Sequence, residues 1–342
     1  MKTKFTFLVT ALFAIIIVNA QNVLTVDNSV GANAQYSDIA SALSSATAGD
    51  TIYVHPSITS YGTVSINKKI TLVGFGHLHP EKKTQVEDII LADGASNSKI
   101  TGFYVYDDIY TANNSETLTN ITIENNYIRD HLVFNSGAVD NVIVRGNLIY
   151  NIGQGSSSTS YDNFTNTIIT NNIITDVIGF KNYDSITIKN NIFLGINSAD
   201  PIDNAGSGNI TIQNCIFYYS TTSTYNPNST NVVFENCLTY NRGSGNVSTL
   251  LGSNNLDNQN PLFIEDTDNA GFNSQTDDFH LQTGSPAIGS GAGGVDIGIY
   301  DGTFNFNNYG FTNGIPTVKI TDITDRIAPG ANLSVTINTI AN

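Results

Sequence analysis

Basic residues are scarce in this chain: 14 Lys and Arg stand against 29 Asp and Glu, a formal charge of −15 over 342 residues. A phosphate backbone demands clustered Lys and Arg, so this balance argues against nucleic acid as a partner. Charged residues of either sign make up only 13% of the chain, tryptophan is absent and cysteine occurs twice. After residue 18 no apolar run reaches the roughly 20 residues needed to cross a bilayer, so a membrane span in the mature chain is not expected. The apolar segments of the middle region are short and show no helical period between them, which excludes helical repeats.

What is present instead is one nine-residue phrase that keeps returning. It reads NITIENNYI from Asn120, NVIVRGNLI from Asn141, NTIITNNII from Asn166, SITIKNNIF from Ser185, NITIQNCIF from Asn209 and NVVFENCLT from Asn231, with a looser NSKITGFYV from Asn97. Successive starts from Asn97 lie 23, 21, 25, 19, 24 and 22 residues apart, a wandering period that suits one turn of a β-solenoid with insertions absorbed at the turns. Within each copy apolar and polar residues alternate, as at Ile121 and Ile123 or Val142 and Val144, the signature of a strand buried on one face. Copies bury that face by stacking in register at ~4.8 Å. The Asn pairs, such as Asn125 with Asn126 and Asn171 with Asn172, mark corners, because Asn tolerates the left-handed conformation and bonds locally. Stacked amides can also bond to one another, so a buried Asn here is satisfied.

With its vtIxNNxI phrase the chain resembles right-handed parallel β-helix proteins of the pectate-lyase-like superfamily. The resemblance implies a single all-β right-handed parallel β-helix, with a short N-terminal capping helix and a β-rich C-terminal cover. Two flanking features strengthen it. YSDIASALSSATAGDTIYV, from Tyr36, places Ile39, Ala42, Leu43 and Ala46 at helical spacing after a possible Ser37 cap, and it resembles the family's N-terminal cap, with Asp50 as a turn residue. NPLFIEDTDNAGF leading into LQTGSPAIGSG and GVDIG resembles the closing coils of secreted bacterial members.

The N-terminus carries Lys2 and Lys4, a Phe5 to Val18 run that is apolar apart from two Thr, and Val18-Asn19-Ala20. This predicts an export signal cut after Ala20, hence a secreted, periplasmic or surface-associated protein. Removing Lys2 and Lys4 takes the charge from −15 to −17, because residues 1–20 contain no acid. The expected organisation is signal 1–20, cap and first coil 21–68, coils 69–300 and terminal cover 301–342, as a monomer. Cys215 and Cys237 fill the same slot of consecutive copies. They fit either a disulfide or two small stacked hydrophobes.

Ten residues after the start of each phrase lie Asp107, Asp130, Asn151 and Asp176, with Asp108, Arg129 and His131 beside them and Lys181 nearby. This cluster alone combines acids with possible bases. In calcium-dependent lyases of the resembled superfamily, Ca²⁺ neutralises a uronate carboxylate and a basic side chain removes the neighbouring proton. Mapped here, Asp107, Asp108, Asp130 and Asp176 would be metal ligands, with Arg129, Lys181 or His131 as base. Solvated turns are the competing account. The NTD, DD, GHG and RIK set of polygalacturonases, the WIDH and RxPxxR motifs of the largest pectate lyase family and the GxVDFIFG of pectin methylesterases are missing, so no active site transfers whole. The expectation is an exported protein acting on or binding polysaccharide, as a lyase rather than a glycoside hydrolase if it is an enzyme. The alternative is a non-catalytic surface or matrix solenoid that binds glycan or protein.

Overall fold

A strand of three or four residues with one apolar face can hide that face only against other copies of itself, and the computed structural model shows that stack. It describes residues 21–78, 83–112, 117–134, 139–153, 164–180, 183, 185–195, 201–203, 208–267, 271–311, 317–323, 330 and 332–340. The export signal at 1–20 and Lys181 lie outside the described residues.

The chain is an all-β parallel solenoid. One parallel sheet climbs through Val23–Val26, Thr51–Val54, Thr71–Val73, Lys99–Thr101, Leu118–Glu124, Val139–Arg145, Thr167–Thr170, Ile186–Lys189, Ile210–Gln213, Val232–Glu235 and Gly252–Ser253. Its inward column, Leu72, Ile100, Ile123, Val144, Ile169, Ile188, Ile212 and Phe234, is in register from coil to coil. Every member is buried, as the alternation of the phrase requires. The second sheet runs from Val64–Ile66 to Leu238–Asn241.

The Asn pairs divide the labour between them. The first member makes the bend: Asn125, Asn171, Asn190, Asn214 and Asn236 have φ between 53° and 56°, with Gly102 and Gly146 in the same place elsewhere. The second member turns inward and builds a ladder. Asn126 Nδ2 donates to Asn147 Oδ1 at 3.1 Å, Asn147 to Asn172 at 3.0 Å and Asn172 to Asn191 at 3.0 Å. Each amide also donates to a backbone carbonyl. Cys215 and Cys237 then replace two rungs as free, buried thiols. The Asn191 N–H points at Cys215 Sγ (3.3 Å), the Cys215 N–H at Cys237 Sγ (3.5 Å), and the Cys237 N–H donates to Asn255 Oδ1 (3.0 Å).

The helix Ile39–Ser45 lies over the first coil with Ile39, Ala42 and Leu43 buried. Its cap is Asp38 rather than Ser37: the Asp38 carboxylate accepts from the Ser41 N–H at 2.7 Å, the stronger acceptor at a helix N-terminus. Lys68 Nζ closes the other end on the carbonyls of Leu43 and Ala46. Asp50 is a turn residue, accepting from the N–H groups of Asn22 and Thr47.

The C-terminal part departs from the expected closing coils. The last strand of the first sheet is Gly252–Ser253, and an antiparallel pair, Phe263–Glu265 with Asp278–Leu281, follows. Residues 286–311 then turn back along the outside of the solenoid as a strap. Asn236 Nδ2 donates to Ser290 O, Asn214 Oδ1 accepts from Ala292 N–H, Asn190 Nδ2 donates to Gly298 O and Asn171 Nδ2 to Ile299 O. Phe304 then packs against Gly146 and under Arg145, and Tyr309 O accepts from His77 N–H. The physical reason is the second sheet's outward column: Leu148, Ile173, Ile192, Ile216 and Leu238 are apolar and need a cover, which Phe263, Phe279, Ile297, Ile299 and Phe306 supply. A terminal hairpin pairs Thr317–Ile323 with Val335–Ile340.

Candidate functional site

Where the strap ends, the second sheet is open to solvent. The strands Tyr127–Val133 and Leu148–Gly153 are in register at Ile128↔Ile149 and again at His131↔Asn151. Arg129 and Asp130 therefore face Tyr150 alone, a bulge that turns the strand edge outward. One coil earlier, Ile128 pairs with Val105 and Leu132 with Ile109. This sets Asp107 beside Asp130, whose N–H donates to Asp107 O at 3.2 Å, and Asp108 beside His131. One coil later, Ile149↔Ile174 and Ile152↔Ile178 leave Tyr150 and Asn151 opposite Thr175, Asp176 and Val177. Asn151 is thus the partner of His131, and Asp176 belongs to a second bulge: the even slot suggested by counting is broken by one-residue insertions.

The centre is an imidazole between two carboxylates. His131 N–H donates to Asp108 Oδ1 at 2.8 Å, and His131 Nδ1 lies 3.3 Å from that oxygen and 2.8 Å from Asp130 Oδ1. The Asp108 bond holds the imidazole above its ordinary value, against partial burial, with the charges of Asp130, Asp108 and Asp176 adding to it. Burial alone would raise Asp108, but the bonds from the His131 ring and backbone bring its carboxyl below the usual range. Desolvation and the charges of Asp88, Glu87, Asp108 and Asp130 push the exposed Asp107 upward. Tyr150 packs edge-on to His131 at 6.1 Å, and the negative charge of Asp176 raises its phenol. Asn151 Oδ1, buried, has no hydrogen-bond partner among the described residues.

On the other side lie two cations. The Arg129 guanidinium sits 4.4 Å from the centre of the Tyr106 ring, and Lys83 Nζ lies 3.2 Å from that of Tyr104. Among the described residues neither makes an ion pair. A bond to Tyr106 raises Arg129 further. Partial burial, then the charge of Arg129, lowers Lys83. Lys83, Glu87 and Asp88 were not singled out in the sequence, because they precede the first copy of the phrase.

Of the sequence candidates, Asp107, Asp108, Arg129, Asp130 and His131 come together at this corner, and Asp176 reaches it from the next coil but one through Tyr150. Asp108, Asp130 and His131 each offer a ligand atom within 4.8 Å of the others, so this trio could hold a metal ion. The arrangement can bind an anion on its cationic side and exchange a proton at its centre.

No family model matches the chain, and no curated protein matches it. Among solved structures, one described as a rhamnogalacturonan lyase is similar over 77% of this chain and 97% of its own, with 12% identity and a TM-score of 0.38. At that identity and score the likeness transfers no substrate and no residue role.

Proposed function

We propose that the protein binds an acidic polysaccharide at this corner and cleaves it by elimination. The observation that carries the reading is the pair Lys83 and Arg129, laid on two tyrosine rings without a carboxylate partner among the described residues, beside the Asp108–His131 pair. Two adjacent cations that repel each other invite an anionic ligand, and tyrosine faces suit the flat apolar side of a sugar ring. A uronate carboxylate held there would have its acidified C5–H near His131. In the elimination the base takes the C5 proton, the C4–O bond breaks with its electron pair on the leaving oxygen, and a C4=C5 double bond forms. His131, oriented through Nδ1 by Asp108 and Asp130, is the group suited to move that proton, and Arg129 to hold the carboxylate.

Calcium fits the acids in kind: it takes oxygen ligands, and the crowding that raises Asp107 is the situation a cation relieves. Asp107, Asp108 and Asp130 would hold it, with Asp176 at the edge, and its charge would assist the cations in neutralising the uronate. A binding role without cleavage is favoured by one observation, the openness of the site: the Asp130 and His131 side chains are 48% and 36% exposed, so water is not excluded from the reacting centre.

The deciding experiment incubates the chain from Gln21 with a panel of uronate polysaccharides, with and without calcium, and follows the ultraviolet absorbance of unsaturated ends. A rise that Asp130→Ala and Arg129→Ala abolish, while Asp93→Ala on an exposed turn keeps it, supports elimination. Retained binding with no rise leaves the non-catalytic reading. Asp50 is unsuited as a control because its carboxylate holds the N-terminal cap.

A further inference from the structure

His77 is fully buried, and neither ring nitrogen has a hydrogen-bond partner among the described residues. The side chain of Asn125 is in the same condition. Both lie under the end of the strap. His77 N–H donates to Tyr309 O at 3.0 Å, and a Cβ on Gly310 would stand 2.0 Å from His77 Cδ2 and 2.6 Å from Asn125 O. Elsewhere along the same corner the amides of Asn171, Asn190 and Asn236 donate to strap carbonyls. At Asn125 no such bond is made, so the strap end rests on backbone contact and ring packing.

An imidazole with no acceptor can stay buried only while neutral. Among the described residues the surroundings offer no counter-charge. Its ring meets Tyr127 edge-on at 6.1 Å and the glycine backbone of the strap, and the charge that acts on it is that of Lys83, of the same sign as an imidazolium. Tyr127 in turn packs on Tyr104 at 5.1 Å, the ring that carries Lys83. His77 thus sits between the strap and the cationic platform.

We propose that His77 is an acid-sensitive latch, whose protonation releases the strap end at 307–311 from the Asn corner and uncovers Tyr127 beside the Tyr104 and Lys83 platform. The latch stands on this packing and does not depend on the polysaccharide reading. Burial, then the charge of Lys83, lowers the imidazole to about 3 in the closed state, against about 6.5 when the strap is off. Above the open-state value both forms are neutral and the closed strap keeps its full advantage. As pH falls from about 6.5 towards 3 only the open form takes the proton, so the closed-to-open ratio drops tenfold per unit. At pH 5 the loss is about 30-fold.

The test is hydrogen exchange of the full chain at pH 7.5 and pH 5, corrected for intrinsic rates, read at the amides of 304–311 against the core strand Ile186–Lys189. The expected result is about 30-fold faster exchange of the strap end at pH 5 in the native chain, with the core strand unchanged and no such acceleration in His77→Phe. Gly310→Ala, which forces a methyl into the ring, should expose the strap end already at pH 7.5. Equal pH responses in the native chain and His77→Phe, or full protection of the native strap end at pH 5, would overturn the latch. Should His77→Phe fail to fold, an NMR titration of the native His77 ring decides. A ring that titrates near 6.5 with the strap still protected refutes the proposal, and one that takes its proton only as the strap opens supports it.

Discussion

At the scale of single residues the site is governed by one hydrogen bond. Because the Asp108 bond is the first cause of the raised His131 value, Asp108→Asn should move the imidazole down towards its ordinary value, measured by NMR titration in EDTA. The sign follows from charge: an amide still bonds but no longer favours the imidazolium. A second residue prediction concerns the ladder. Asn147 bonds Asn172 Oδ1, Ile123 O and Arg145 O, and accepts from Asn126. Asn147→Leu would leave these buried groups unpaired, at ~1–3 kcal/mol for each group that finds no new partner. Urea unfolding should show a loss of several kcal/mol. The ladder was legible in the sequence from the paired Asn alone. The candidate site was legible only in part: Asp107, Asp130 and His131 stood out because they fall just after the phrase, whereas Lys83 lies in an earlier coil with no phrase to align it. The order of acids in the slot was also beyond counting, since Asp130 and Asp176 sit in bulges that shift the register by one.

At the scale of elements the strap is the part that sequence reading placed wrongly. GSPAIGSG and GVDIG read as closing coils because their turn chemistry is that of a coil, and turn chemistry does not say which surface the segment lies on. The missed signal was in the phrase itself. Four of the corners are followed by two consecutive apolar residues: Leu148-Ile149 after Gly146-Asn147, Ile173-Ile174 after Asn171-Asn172, Ile192-Phe193 after Asn190-Asn191 and Ile216-Phe217 after Asn214-Cys215. A strand apolar on both faces is covered on both. One face packs in the core and the other under the strap. The element-level prediction lies at Gly146, whose φ of 64° also suits Asn. A Cβ there would come within 2.3 Å of Phe304 Cε1, so Gly146→Asn keeps the bend and displaces the ring. The expected cost is ~1–3 kcal/mol in urea unfolding, and pairing it with Phe304→Ala should return part of that loss, because the ring clash is then gone while the close approach to Asn125 Oδ1 at 2.9 Å remains.

Over the whole molecule a solenoid contacts itself only between neighbouring coils, so its ends can unfold separately. The strap alters that connectivity. By touching Asn236, Asn214, Asn190, Asn171, Gly146 and His77 in turn, it joins coils far apart in sequence to one continuous segment, and melting any of them strips part of its cover. The native chain should therefore unfold in urea as a single transition, with coincident circular dichroism and tyrosine fluorescence. A chain ending at residue 285 keeps every solenoid strand, with Phe263 and Phe279, but removes Ile297, Ile299 and Phe306 from over the column of Leu148, Ile173, Ile192, Ile216 and Leu238 and so exposes an apolar stripe along the flank. It should bind a hydrophobic dye in the folded state, and its transition should broaden with a smaller apparent m-value, because coils at the two ends lose their shared element. If the shortened chain unfolded as sharply as the native one, nearest-neighbour coil contacts would suffice for cooperativity, and the strap would be a cover without being a clamp.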